Sequence, residues 1–464
     1  MTGNFHDILR SRFAADRPCF LLPEGPTVSY DGLAAAIDAA ATRLDSDGVR
    51  PGDRVVLVCE KAWEVVAVYL ATLKIGAIFV PLNPAYTAAE LDYFLEDCRP
   101  AAIIRDAPAF VQGAVARPGG SAVSRSPGDP ASIIYTSGTT GRSKGAVLTH
   151  GGLRANAESL RTTWGFSADD VLLHALPVFH VHGLFIALHC ALLSGAPMVW
   201  LSRFSELEVL TGLRRSTVMM GVPTFYVRLL NRPDFTRELA QGVRLFVSGS
   251  APLLPSTFDA FEARTGQRIL ERYGMSEALV IASNPLHGDR RGGCVGYPLE
   301  GLELRIAGSE DIGSVEIRGD SVFAGYWEQR GKTDEAFTAD GFFITGDVGR
   351  LDDDGRLWLS GRDKDLIITG GLNVYPGEIE QVLDGLPGVQ ESAVIGLPHA
   401  DFGEAVTAVV CGDGDEAAIV SAARRSLAPY KAPKRVLFVD ALPRNAMGKV
   451  QKALLRAEFQ DLYK

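Results

Sequence analysis

The sequence predicts an α/β fold: a large N-terminal domain of βα layers carrying a small β unit, followed by a small α+β C-terminal domain. Three observations carry this. Short apolar, β-branched runs alternate with helical patterns as far as residue 248, the signal of βα units around a mostly parallel sheet. After residue 301 the runs shorten and are separated by Gly and Asp turns, which reads as an antiparallel unit. From about residue 363 the pattern becomes compact and mixed.

The elements follow in order. "RVVLVCE" (54–60) reads as a strand, Trp63–Lys74 as a helix and "AIFVPL" (77–82) as a strand. A helix near Ala88–Asp97 and a strand in "AAIIRD" (101–106) complete the first set. The segment 107–130, rich in Ala, Gly, Pro and Ser, reads as a surface connection. Strands recur at 199–201, 216–221 and 243–248. "LELRIAG", "GSVEIRG" and "GFFITGDVGRLDDDGRLWLSGR" supply the antiparallel unit. The C-terminal pattern is a helix at Pro376–Leu386, strands at Glu391–Gly396 and Ala405–Cys411, a helix at Asp415–Ser426 and a strand at Arg435–Val439. The domain boundary falls after Gly361, giving 1–361 and 362–464.

Composition narrows the function. Charged residues are 22% and apolar residues 47%, an ordinary globular balance. The net charge of −10 argues against nucleic acid or an anionic membrane as partner. The six cysteines (Cys19, Cys59, Cys98, Cys190, Cys294, Cys411) are scattered without a C-x-x-C spacing and read as reduced thiols of a cytoplasmic chain. "MTGNFHDILRSRF" has no long apolar core, so no signal peptide is expected. The apolar stretches Val65–Leu82 and His182–Leu201 are broken by Lys74, Gly76, His189, Gly195 and Pro197. Each reads as a buried helix followed by a strand, not a membrane span.

The stretch "YTSGTTGRSKG" (135–145) follows the apolar run "ASIIY" and so leaves a strand end, where α/β proteins place ligands. Its glycines let backbone N–H groups approach an anion, its hydroxyls add donors, and Arg142 and Lys144 add charge. Composition alone also allows a flexible Gly/Ser loop. The spacing is not that of the common P-loop, because Ser143 precedes the lysine and Gly145 follows it.

With "SGSAP" (248–252), "RYGMSE" (272–277), "TGD" (345–347), "GRDKDLIITGGLNVYPGEIE" (361–380) and "LPRNAMGK" (442–449), the chain resembles the adenylate-forming enzymes: acyl-CoA synthetases, peptide-synthetase adenylation domains and luciferases. The likeness covers nearly the whole chain. "LPVFHVHGLF" (176–185), "GVPTFYVRLL" (221–230), "ERYGM" (271–275) and "RNAMGKVQK" (444–452) look most like malonyl-CoA synthetases.

The resemblance implies ATP, Mg²⁺ and coenzyme A as reaction partners, and a carboxylic acid activated through an acyl-adenylate. Thr136, Ser137, Gly138, Thr139, Thr140, Gly141 and Lys144 would cradle phosphates. Tyr273 would stack on adenine, with a core tyrosine as the plain alternative. Ser276 would lie near the α-phosphate, although the family usually has Thr there. Glu277 would hold the metal, and Asp347 with Arg362 the ribose hydroxyls. Lys449 would be the catalytic cation delivered by a mobile C-terminal domain, Lys364 the hinge, and Gly370-Gly371 the thioester loop that leaves room for pantetheine. Arg228 and Arg272, both inside segments that look buried, would hold the distal carboxylate of malonate or methylmalonate, with His182, Ser250 and Met275 beside it. The apolar "ALVIAS" (278–283) leaves room for a longer acid. A fatty or aryl acyl-CoA synthetase and a non-turnover adenylate-binding homologue are the alternatives. Acetylation would remove the Lys449 charge, and a lysine acetyltransferase is an expected partner because related synthetases are regulated this way.

Overall fold

The computed structural model describes residues 3–115, 120–136, 143–308, 311–445 and 448–463. Two large sheets dominate the N-terminal part. The first runs in the order Tyr297–Pro298, Leu279–Ser283, Leu270–Met275, Leu245–Ser248, Val218–Gly221, Leu172–His174, Met198–Trp200, Pro18–Leu21 and Val28–Ser29. Its central strands are parallel and its outermost pairs antiparallel. The second runs Ala102–Ile104, Arg54–Leu57, Ile78–Pro81, Pro130–Thr136 and Lys144–Thr149. It is parallel except for its last pair. Strands buried on both faces need continuous apolar runs, which is why "RVVL" and "IFVP" carry no alternation.

Between the sheets, the Glu64–Lys74 helix is buried along its whole length. The Ala88–Cys98 helix instead starts on a capping box, Thr87 and Glu90 each accepting from the other's backbone N–H. The connection expected at 107–130 begins with a short helix, Ala107–Gln112, because Asp106 caps the Ala109 N–H. His182–Leu201 resolves into a π-helical turn His182–Ala187, the helix Leu188–Ser194 and the Met198–Trp200 strand.

Four antiparallel strands from Leu302–Ala307 to Leu357–Arg362 form the third sheet. The C-terminal part has its own five-stranded sheet, with Ile367–Thr369, Leu372–Val374, Val389–His399, Gly403–Gly412 and Arg435–Phe438. Apolar clusters centred on Val394, Val406 and Ile379, and on Ile395, Val409 and Leu455, cover its two faces. Among the described residues no helix is long and apolar enough to cross a membrane.

Candidate active site

The parallel strands Val218–Gly221, Leu245–Ser248 and Leu270–Met275 end side by side, and the segments leaving them carry the site. The Leu270–Met275 strand presents Arg272 and Tyr273 on opposite faces. It then turns through Ser276 and Glu277 into the antiparallel Leu279–Ser283. This turn is tight: Leu279 has a φ of 59°, and any side chain at Gly274 would strike the Leu279 carbonyl.

Thr136 and Lys144 face each other across an antiparallel pair. Ser137, Gly138, Thr139, Thr140 and Gly141 lie outside the described residues. The Lys144 ammonium sits over the Tyr326 ring, 4.6 Å from its centre. The Tyr326 hydroxyl donates to Glu277 Oε1 at 3.3 Å. Glu277 is buried, and desolvation raises its pKa. A buried carboxylate is a hard oxygen donor of the kind that fits Mg²⁺. Tyr326 is a member of this group that the motifs did not single out.

Asp347 and Arg362 pair across neighbouring strands, Nε to Oδ1 at 2.7 Å. The Tyr273 hydroxyl also donates to Asp347, and the ring packs with the main core. Two of the carboxylate's lone-pair sites are thereby used and two remain.

The Lys449 turn reaches this pair from the C-terminal part. Asn445 closes it, its side chain accepting from the Lys449 N–H at 3.0 Å, and Gly448 lies against the Thr224 side chain. Lys449 keeps contact with solvent, yet desolvation in the seam pushes its pKa down to about 8, with the Arg362 charge adding to the shift. Lys364 lies in the exposed single turn Asp363–Asp365. Gly370 and Gly371 have φ values of 58° and 80° and join two paired strands. No atom comes within 4 Å of a side chain built at either. The turn's handedness is a sufficient local reason for both glycines.

Arg272 is 4% exposed. Its Nε–H and Nη2–H find no hydrogen-bond partner among the described residues. These two donors form one edge of the guanidinium, the edge that grips a carboxylate bidentately. Burial drives the pKa of Arg272 down, but a guanidinium stays charged in proteins, so the cost is carried as affinity for an anion. His182 is fully buried, with its Nδ1 3.1 Å from Ser250 Oγ and its Nε2 unpartnered among the described residues. Desolvation and then the Arg272 charge hold its pKa well below the ordinary value. Ser250 has a φ of 72°, a left-handed conformation that costs a non-glycine residue roughly 1–2 kcal/mol. His180 Nδ1 accepts from the His182 N–H. Met275 is half-buried and packs on the main core.

Behind His182 lies a buttress that the motifs did not reveal. His174 Nε2 lies 2.9 Å from the Gly183 carbonyl, and Lys61 Nζ lies 2.9 Å from His174 Nδ1 and donates to the His174 carbonyl at 2.8 Å. A carbonyl oxygen only accepts, so the ring proton sits on Nε2 and Nδ1 accepts from Lys61. This pins the π-helical turn, a distortion common at functional sites.

Two expectations are corrected. Arg228 is not buried: its side chain is 53% exposed and its Nε donates to Glu206 at 2.6 Å. The reason is helical phase. Tyr226 and Leu229 face the core, and Arg228, two residues beyond Tyr226, points about 200° away from it. The apolar "ALVIAS" belongs to the fully buried Leu279–Ser283 strand, so core packing accounts for its character.

The chain matches the family model described as AMP-binding enzyme over residues 10–327 and the AMP-binding enzyme C-terminal domain over 378–449. It is 35% identical to a malonate–CoA ligase of Arabidopsis thaliana, covering 90% of this chain and 80% of that one. It is 32% identical to the long-chain-fatty-acid–CoA ligase FadD13 of Mycobacterium tuberculosis over 93% of each. The crystal structure of ATP-bound MatB from Rhodopseudomonas palustris superposes with a TM-score of 0.95 at 44% identity over the whole of both chains. The apo form of MatB gives 0.86. The chain therefore belongs to the AMP-binding, adenylate-forming enzyme family and is an AMP-forming acid–thiol ligase that uses ATP and coenzyme A.

Proposed function

We propose that the acid is malonate, or its 2-methyl derivative, and that the product is the corresponding CoA thioester. The observation that carries this is the buried, unpaired carboxylate-gripping edge of Arg272, with His182 and Ser250 beside it. An uncompensated buried charge costs several kcal/mol, roughly, and a pocket for an alkyl chain would gain nothing from it. The relatives named malonate–CoA ligase and MatB support the same reading. Arg228 is left out of the proposal, since its charge is already met by Glu206 at the surface.

In this reading Arg272 holds the distal carboxylate and turns the other toward the α-phosphorus of ATP. One carboxylate oxygen bonds to phosphorus, and the bond to the bridging oxygen of pyrophosphate breaks. Lys449 meets the charge that gathers between carboxylate and α-phosphate, while Asp347 and Arg362 hold the ribose and Ser276 lies by the α-phosphate. Mg²⁺ on Glu277 would supply further charge for the phosphates. The coenzyme A thiol then adds to the acyl carbon, loses its proton, and AMP leaves. The proposed division at Gly361–Arg362 lets the second part swing the Gly370–Gly371 hairpin toward the site for this step. Acetylation of Lys449 by a lysine acetyltransferase would remove the adenylation cation; its solvent contact and lowered pKa favour such modification.

The test is CoA-dependent AMP formation with malonate, methylmalonate, succinate, acetate and octanoate. Malonate or methylmalonate should give the highest kcat/KM. Octanoate outcompeting malonate would overturn the reading.

A further inference from the structure

We infer that Gly249 is a specificity-determining residue of this enzyme, because the absence of a side chain there is what allows the Arg272 guanidinium to occupy its buried position. Gly249 joins the Leu245–Ser248 strand to Ser250. A Cβ placed on it would have three atoms of Arg272 as its nearest neighbours: Cδ at 2.9 Å, Cζ at 2.5 Å and Nε nearer still. Cβ atoms essentially never approach other heavy atoms so closely, so the guanidinium would have to shift from this position. Nothing else about the position calls for glycine. Its φ lies outside the left-handed range, and its backbone N–H is already paired with the Gly221 carbonyl at 3.3 Å. Alanine is therefore compatible with the main chain.

The neighbouring residues sharpen the contrast. Ser250 keeps a hydroxyl in a conformation that would suit glycine, whereas Gly249 gives up a side chain in a conformation that any residue can adopt. Together they trade ordinary backbone preference for a packed cation and a hydroxyl at one spot. A Cβ at 249 would push the Nε edge of Arg272 away from its buried setting while leaving Tyr273, on the other face of the strand, in place. Gly249 thus acts through Arg272 as a positioning residue. A one-methyl substitution should convert a dicarboxylate site into one with no preference for the second carboxylate.

This rests on the dicarboxylate reading, and the test separates the two. Pyrophosphate release is measured with malonate and with propionate, the monocarboxylate of equal carbon number, for the wild type, Gly249→Ala, Arg272→Ala and the double variant. Gly249→Ala should lower kcat/KM for malonate at least about 30-fold, mainly through KM, as expected when a buried charge loses its partner. Its propionate value should stay within about threefold and its Tm within about 2 °C, the range left when no core contact is lost. In the Arg272→Ala background the second change should cost less than about twofold, because the colliding group is gone. If Arg272→Ala loses malonate while Gly249→Ala keeps it, the dicarboxylate reading stands and the role of Gly249 falls. If the wild type does not distinguish malonate from propionate, both fall. A loss of Tm beyond about 5 °C, or full multiplication of the two effects in the double variant, would place the glycine's role in the fold and overturn the inference.

Discussion

In the proposed mechanism Lys449 acts as a cation, yet the seam it occupies favours the neutral amine. Desolvation and the neighbouring Arg362 bring its pKa to about 8. For an amine, the charged form is lost as pH rises through the pKa, so adenylation should weaken on the alkaline side. Acyl-adenylate formation without coenzyme A should show kcat/KM flat to about pH 7.5, half-maximal near pH 8 and falling about tenfold per unit beyond, as for one essential acid in the free enzyme. Lys449→Arg should be slower but level across this range, since arginine stays charged. A wild-type profile that stays flat to about pH 9.5 would mean that the Lys449 pKa is not lowered in the working enzyme. The same residue shows what single side chains reveal in a sequence. A motif names Lys449, but its lowered pKa comes first from desolvation and then from Arg362, more than eighty positions away. Arg228 makes the converse point. An arginine among "TFYVRLL" reads as buried by composition, and only the phase set by Tyr226 and Leu229 turns it outward to Glu206.

Among elements, the hairpin from Ile367 to Val374 separates a local cause from a functional one. Its two turn residues, Gly370 and Gly371, both have positive φ, the signature of a type I′ connection, in which Asn-Gly is as favourable as Gly-Gly. If the glycines serve the turn, Gly370→Asn should keep thioester formation from supplied acyl-adenylate within about threefold, and Gly370→Val, β-branched at a positive φ, should lose at least about tenfold. Equal loss in both variants would restore a need for space at position 370. Elements of this kind were legible to different degrees. The buried parallel strands and the antiparallel unit after residue 301 announce themselves through run length and turn residues. The Lys144–Thr149 strand does not: "KGAVLT" continues a glycine-rich loop in composition, and only its pairing with Pro130–Thr136 makes it a strand. The π-helical turn at His182 is likewise invisible locally, because it depends on Gly183 passing the Pro177 carbonyl and on the Lys61–His174 buttress behind it.

At the scale of the whole molecule, one arrangement of the two parts is on view, and it is the one that the proposed mechanism assigns to adenylation. Lys449 stands in the field of Asp347 and Arg362, Gly448 touches Thr224, and the match to the ATP-bound relative is closer than to the apo form. The Gly370–Gly371 hairpin is exposed meanwhile, and in the proposed mechanism the C-terminal part turns for the second half-reaction. The link able to turn is short. Arg362 is held to Asp347 on one side, and Asp365 is held by Arg456 at 2.6 Å on the other, which leaves Asp363 and Lys364 to absorb the rotation. Lys364 sits in a 3₁₀ turn, whose φ is already near the value a proline ring imposes. Lys364→Pro should therefore fix the present arrangement, keeping adenylate formation within about threefold while lowering thioester formation from supplied malonyl-adenylate at least about 100-fold, as for a closure step that has lost its hinge. Lys449→Ala should do the reverse, losing adenylation at least about 100-fold through the missing charge and still passing supplied adenylate to coenzyme A. Stopped-time assays of pyrophosphate release and of thioester formation, run separately on both variants, decide the matter. Parallel losses of the two half-reactions in each variant would mean that the C-terminal part serves both steps from one position, and that the turn at Lys364 is a connector and not a hinge.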